Sequence, residues 1–302
     1  MPLTLLDIAR LSGSDATVGL IEQITTFAPE MNVLPIRRKW GTSYKISRRT
    51  GNPSAGFRNA NEGIATGKST FEQIEVPMFF FDCQLQVDEA IVKASGETPG
   101  DVLATEAAGQ VRGATIALGD QIYRGTTANN KGFAGLRAQV ASTMVVDATG
   151  SGTTNTVWFA RCADDGLHVP MGNGGSIALG QWMRQRITDT NGNPYMAWVN
   201  NMSFYIGLAL AHTQCIGAVK NVTSAQPFTD ARAADLYAKF PIGLKPTHCF
   251  MSRDALSWLQ KSRSAVGNQK SNASGDAFAP LPESTMGVPI VPTDSIATEA
   301  AW

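Results

Sequence analysis

Residues 33 to 82 constrain this chain more than any other stretch, because they read as strands yet carry too little apolar surface to build a core. After Val33-Leu34-Pro35-Ile36, the run Trp40-Gly-Thr-Ser-Tyr44-Lys-Ile46 alternates with period two. A second such pattern passes through Phe71, Ile74, Val76 and Phe79. Between them lie Thr50-Gly-Asn-Pro-Ser-Ala-Gly56, rich in chain breakers, and the polar Asn59-Ala-Asn-Glu-Gly63. The expectation is a long two-stranded ribbon with a wide polar tip. Isolated two-stranded hairpins are marginal in water. Something else must therefore hold this one, and a neighbouring subunit is the natural candidate. From Arg37 to Lys68 its charge is one-sided: Arg37, Arg38, Lys39, Lys45, Arg48, Arg49, Arg58 and Lys68 stand against a single acid, Glu62.

The chain as a whole has no such bias. Its 302 residues include 25 basic and 25 acidic side chains, which gives no global reason for tight nucleic-acid binding. A hydrophobic content of 43% suffices for a real core, in one large or two ordinary domains. Charged residues make up only 17%, which suits a surface partly covered by partners. Cys83, Cys162, Cys215 and Cys249 form no CxxC pair. Free thiols in a reducing compartment are expected, and no zinc site. No basic-then-apolar leader opens the sequence, so no signal peptide is expected. The apolar stretches near residues 76–81 and 206–211 are too short to span a membrane.

The remaining pattern is mixed α and β. Residues 3–28 form an amphipathic arm, with Leu3, Leu6, Leu20, Ile24 and Phe27 as its larger apolar residues. The acids Asp7, Asp15, Glu22 and Glu30 face one base there, Arg10. The clearest helix is predicted over residues 98–122, with Thr98 as N-cap, Pro99 at the first position and Gly125 as the stop. Leu103, Ala107, Val111, Ala114, Leu118 and Ile122 fall on one stripe of it. Strands follow at 156–160, 195–199 and 204–222, the last two joined near Asn200-Asn201, with a turn at Asp189–Asn193. Short helices are predicted at 230–239 and 253–263, the second capped by Ser252, with short strands at 247–251 and 288–291. Residues 264–279 read as a mobile loop.

No catalytic constellation emerges. Gly63-Ile-Ala-Thr-Gly67-Lys68-Ser69 is one residue short of a phosphate-binding GxxxxGK[ST] loop, and no helix pattern follows it. Gly172-Asn-Gly174-Gly175-Ser176 lacks dinucleotide-site spacing and reads as a loop. His168, His212 and His248 sit in no metal motif, with His212 in a strand-like run, and read as structural. Nothing marks a nucleophile, a metal ligand or a cofactor site. The aromatics Trp40, Tyr44 and Phe57 among the ribbon's bases allow base stacking, but no nucleic-acid-binding signature accompanies them. A solvated basic face and a contact with an acidic neighbour are the other readings, and the unsupported ribbon favours the contact.

The order of segments resembles the Hong Kong 97-type fold of tailed-bacteriophage major capsid proteins. Phe57-Arg-Asn-Ala-Asn-Glu-Gly63 with Phe71-Glu-Gln-Ile is similar to the family's extended loop. Asp120-Gln-Ile-Tyr-Arg-Gly125 with Gly132-Phe-Ala-Gly-Leu136 resembles the passage after its spine helix. Asn193-Pro-Tyr195 through Gly207-Leu-Ala-Leu-Ala, then Ile216-Gly-Ala-Val-Lys-Asn221, is similar to its paired long strands. Lys245-Pro-Thr-His-Cys-Phe-Met-Ser-Arg253 and Met286-Gly-Val-Pro-Ile-Val-Pro-Thr-Asp294-Ser-Ile resemble its C-terminal half. The likeness covers about residues 30 to 300.

The resemblance implies an α+β fold with an N-terminal arm (1–32), an extended loop (33–82), a long spine helix, a peripheral domain (83–128 and 165–222) and an axial domain (129–164 and 223–302). It implies a structural, non-enzymatic subunit of an icosahedral shell of hexamers and pentamers around double-stranded DNA. That DNA would be met by non-specific contact only. A separate scaffolding protein, a portal and a decoration protein are the implied partners. No fused scaffolding segment is evident, and neither a cofactor nor a membrane is expected. The location implied is the virion capsid, with assembly in the host cytoplasm. Arg37, Arg38, Lys39, Trp40, Lys45, Arg48, Arg49, Arg58, Glu62 and Lys68 are the expected inter-subunit contacts. An encapsulin-like cargo shell is the alternative within the fold. An enzyme binding a phosphorylated ligand through glycine-rich loops is the alternative outside it.

Overall fold

A computed structural model describes residue 26 and residues 28–94, 99–175, 178–267, 280–296 and 298–302. Most of the N-terminal arm, the expected cap Thr98 and residues 268–279 lie outside these. Helix α1 (Glu30–Val33) brings the chain onto the body, and β1 (Ile36–Arg38) follows. Then β2 (Ser43–Gly51) and β3 (Thr70–Pro77) pair antiparallel with each other and with no other described strand. Strand β4 (Phe79–Asp88) continues almost directly, held by Met78 N donating to Thr42 O at 2.8 Å. The ribbon is thus narrower than residues 33–82, because β1 and β4 belong to the body.

After α2 (Glu89–Ala94), helix α3 (Pro99–Arg124) runs for 26 residues, about 39 Å at 1.5 Å per residue. It ends where the sequence places its stop. Gly125 takes φ +58°, and a Cβ there would lie 2.0 Å from Gly135 N. The buried stripe differs from the expected one. Leu103, Ala114, Leu118 and Ile122 face inward, but Val111 is 47% exposed and Gln110 is buried beside it. Gln110 earns that place by donating to Cys83 O on β4 at 2.5 Å.

Helix α4 (Leu136–Gln139), β5 (Val145–Asp147), β6 (Thr153–Ala160), β7 (Leu167–Met171), β8 (Ala178–Leu179) and β9 (Met183–Thr188) come next. The turn at Asp189–Asn193 forms as expected, with Asp189 Oδ1 accepting from the backbone N–H groups of Asn191 and Asn193 at 2.8 Å. It leads into β10 (Pro194–Ile206), one unbroken strand of 13 residues. The expected joint at Asn200-Asn201 is absent. Asn200 stays buried in the strand because its amide donates to Gly180 O at 2.8 Å. The break falls later, between β11 (Ala209–Leu210) and β12 (Ile216–Val222), so His212 occupies a turn and accepts from Gln214 N. The chain closes with α5 (Asp230–Tyr237), β13 (His248–Met251), α6 (Arg253–Gly267), β14 (Ser284–Thr285), β15 (Val288–Pro292) and β16 (Glu299–Ala300). Ser252 Oγ caps α6 by accepting from Ala255 N, and α6 itself takes in residues 264–267 of the expected loop.

Two sheets organise these elements. The first has the order β1-β7-β10-β4, with β8, β9 and β11 as side pairings. The second has the order β14-β15-β13-β6-β12-β5, with β16 against β6. Strand β12 therefore stands in the second sheet, whereas the sequence reading grouped it with the peripheral unit, most of whose strands lie in the first. Its pairing partners, β5 and β6, lie some sixty residues upstream, and no local pattern announces them. One core packs Leu118, Ile122 and Tyr123 of α3 between Val169 and Phe204 of the first sheet and Trp158 and Phe250 of the second. The other core fills the far face of the second sheet, where Val157, Phe159 and Val219 meet Leu236 of α5 and Leu259 of α6. Both faces of the second half of β6 are covered, which is why Val157-Trp-Phe-Ala160 is a continuous apolar run. Arg263 ties α6 to α5 through both Asp230 oxygens at 2.7 Å.

A C-terminal strap completes the second sheet. Glu299 is bracketed by Arg124 at 2.8 Å and Arg137, and Trp302 stacks on Trp158 with centroids 6.2 Å apart. Asn221 clamps Trp302, accepting from its N at 2.9 Å and donating to its O at 3.1 Å, while holding φ +57°.

Two substitutions probe these features. Gly125→Ala should destabilise the subunit by more than about 2 kcal/mol, through strain at positive φ and collision with Gly135. Asn221→Ala should cost about 2 kcal/mol from the lost clamp and the left-handed backbone, whereas Asn221→Gly keeps the backbone and should cost less. Denaturant unfolding measures both.

Candidate interaction surface

The ribbon leaves the body at a compact root. Lys39 N donates to Met171 O at 2.8 Å, and Gly174 N donates to Lys39 O at 2.9 Å. Tyr44 meets the His168 ring edge-on at 5.5 Å, and Lys39 Nζ lies 5.2 Å from the Tyr44 ring centroid. Arg37 pairs with Asp164 at 2.5 Å. The glycine-rich loop 172–175 serves this root. A Cβ on Gly175 would meet Arg38 Cγ at 2.4 Å, and one on Gly174 would press on Trp40 at 3.1 Å. Sequence reasoning recognised a loop there but not its task, since glycines that admit a neighbour's side chain look like any others.

Along the strands, alternate faces differ. One face carries the cross-strand pairs Tyr44–Val76, Ile46–Ile74 and Arg48–Glu72. Arg48 closes on one Glu72 oxygen with Nε at 2.9 Å and Nη2 at 2.7 Å. The opposite face carries Lys45–Glu75, Ser47–Gln73 and Arg49–Phe71. Arg49 sits 5.5 Å over the Phe71 ring. Lys45 stands opposite Glu75, yet neither Lys45 nor Lys68 forms an ion pair among the described residues.

At the tip, every residue from 52 to 68 is exposed. Glu62 braces it from inside, its Oε2 accepting from Asn59 N at 3.3 Å and Asn59 Nδ2 at 3.1 Å. Arg58 donates to Glu62 O at 2.9 Å. Phe57 is 108% exposed, and Trp40 at the root is 80% exposed. The ten residues singled out from sequence thus divide. Arg48, Arg58 and Glu62 spend their polar groups within the ribbon, and Arg37 spends its own on the body. Lys39 lies over the Tyr44 ring and Arg38 packs on Gly175. Lys45, Arg49, Lys68 and Trp40 face outward.

The near-phosphate motif of the sequence gains no phosphate-binding geometry. Gly63–Ser69 runs into strand β3, so no helix N-terminus meets the near-phosphate motif. No group of three metal-ligating side chains occurs among the described residues. His168 is fully buried, with Nδ1 3.3 Å from Gly166 O and Nε2 unpaired, and burial lowers its pKa. It is therefore only half satisfied as a structural histidine. Burial pushes the Cys162 thiol up to about 12 and Cys215 up to about 11, which keeps both protonated. A cleft of about 220 Å³ between α3 and β4, lined by Phe79, Phe81, Leu118 and Phe133, has its one carboxylate, Asp120, engaged by Arg124 at 3.2 Å.

Comparison with known proteins places this architecture. A chain of the solved structure of bacteriophage Epsilon15 is similar over 100% of this chain and 97% of its own, with a TM-score of 0.71 and 16% identity. The capsid of bacteriophage JBD30 is similar over 94% of this chain and 93% of its own, at a TM-score of 0.54 and 11% identity. The same phage's capsid decorated with minor capsid protein trimers matches at 0.52 and 13%, covering 98% of this chain and 99% of its own. At such identities the likeness is one of fold, here the α+β Hong Kong 97-type. No curated protein matches by sequence. Residues 16–300 match the family model described as major capsid protein GP7, and with that match spanning nearly the whole sequence the chain belongs to this family of capsid subunits.

Proposed function

We propose that this capsid subunit closes into hexamers and pentamers of an icosahedral shell around double-stranded DNA, and that the ribbon is the element by which each copy grips its neighbour. The supporting observation is that β2 and β3 pair only with each other while residues 52–68 lie wholly exposed. Such a hairpin gains lasting order only by packing on something else. The first sheet with α3 forms the peripheral unit in this reading. The second sheet with α5 and α6 forms the axial one. Closed rings use heterologous contacts that return on themselves, and each subunit makes several. Modest single contacts then multiply through effective concentration.

The subunit performs no catalysis in this reading. Its neutral overall charge suits non-specific contact with packaged DNA and no sequence recognition. A separate scaffolding protein, a portal and a decoration protein complete the assembly. The decorated JBD30 capsid carries minor capsid protein trimers, which supports the last of these. The subunit resides in the virion capsid after assembly in the host cytoplasm.

Deleting residues 52–68 should leave the thermal unfolding of the subunit unchanged and abolish regular shells in electron micrographs. Normal shells from the deleted chain would refute the gripping role. The charges separate the ribbon's own stability from its contacts. Arg48→Ala and Glu72→Ala should each change subunit stability by less than about 1 kcal/mol, since the pair is largely solvated. The double change Lys45→Glu, Lys68→Glu should leave the subunit equally stable but slow assembly seen by light scattering.

A further inference from the structure

The carboxyl of Glu30 is 1% exposed, at the point where the N-terminal segment joins the body. No Lys or Arg among the described residues pairs with it. It lies among hydroxyls from two distant parts of the chain. Thr293 Oγ1 donates to Oε1, and Ser295 Oγ donates to Oε2 at 3.3 Å. Ser295 N fixes the Thr293 hydroxyl by donating to it at 3.1 Å. The buried Tyr123 hydroxyl faces the same carboxyl from α3. Gly119, one turn earlier on α3, makes room for this meeting. A Cβ there would lie 2.2 Å from Ser295 Oγ and 3.1 Å from Glu30 Oε2.

The other described titratable groups nearby add no positive charge. Asp294, between the two hydroxyl residues, pairs with Arg253 at 2.7 Å. Cys162 and Cys249 lie near Tyr123, and burial keeps both thiols protonated. An ionised carboxylate buried without a cation is costly, while a neutral acid among hydroxyls is not.

We propose that Glu30 is a proton-dependent clasp. As the neutral acid it fastens the root of the N-terminal segment to the long helix and to the segment after β15; when ionised it lets that root loosen. Burial raises the pKa of Glu30, so the sign follows. A group whose acid form is favoured in the fold contributes its stabilisation at low pH and loses it as pH rises through the raised folded value. Glu30→Gln keeps the neutral shape and removes the proton, so it should hold the clasp closed at every pH.

Hydrogen exchange of backbone amides in residues 28–34 of the full chain tests this, corrected for intrinsic pH dependence and referred to residues 230–237. Wild-type protection should fall about tenfold for each pKa unit by which the fold raises Glu30, as pH is taken from 4.5 to 8.5. Glu30→Gln should show high, flat protection. Thr293→Val removes, at nearly constant volume, a donor that favours the ionised form, so it should show lower protection than wild type with its fall continuing to higher pH. A wild-type profile that stays flat would overturn the clasp. So would a Glu30→Gln profile that follows the wild type. A Thr293→Val profile matching the wild type would do the same should the glutamine variant fail to fold.

Discussion

Helix α3 must be covered on two sides, and most of the architecture follows from that requirement. Its inner stripe reaches the first sheet through Phe204 and the second through Trp158 and Phe250, so one rod joins both sheets in a single core. Each large side chain buried there contributes on the order of 1.5–3 kcal/mol. The second sheet then has a far face to cover, and α5 and α6 supply it through Leu236 and Leu259. Residues 43–77 stand outside these cores and touch the body near their root, where Tyr44 meets His168 and Val76 is buried.

Those residues are composed accordingly. A segment without a core must satisfy itself with cross-strand pairs and turn bonds, and Arg48–Glu72, Arg49 over Phe71 and the Glu62 brace do that. Each is worth little alone. Their joint effect is to fix the ribbon's shape before any contact forms, which lowers the ordering cost of binding. The bonds at the root add a fixed direction of departure, because Lys39 is held by Met171 and by Gly174.

Much of this was legible in the sequence, and the failures share a cause. The long helix, its glycine stop, the apolar run of β6 and the ribbon all carry local signals: period, cap, breaker, composition. Val111 was put on the buried stripe where Gln110 stands, and Asn200 at a joint, because the burial of each polar residue depends on a distant backbone carbonyl, Cys83 O or Gly180 O. No periodicity rule can see such a partner. Strand β12 was assigned to the wrong neighbours for the same reason, since pairing across sixty residues leaves no mark in either segment. Of the contact candidates, sequence marked the cationic stretch as a unit. It could not tell the outward Lys45 and Lys68 from Arg58, whose guanidinium is consumed by its own turn.

Glu30 shows the converse. Read from sequence it was one of four acids in an amphipathic arm, and so a candidate for pairing with a basic neighbour. Its burial withdraws it from that role, because a carboxyl enclosed by Thr293, Ser295 and Tyr123 presents no field to an approaching ribbon. The charge that would have made a sticky arm serves as an internal fastening, and the arm's root acquires a dependence on protonation that an exposed glutamate at the same position would lack.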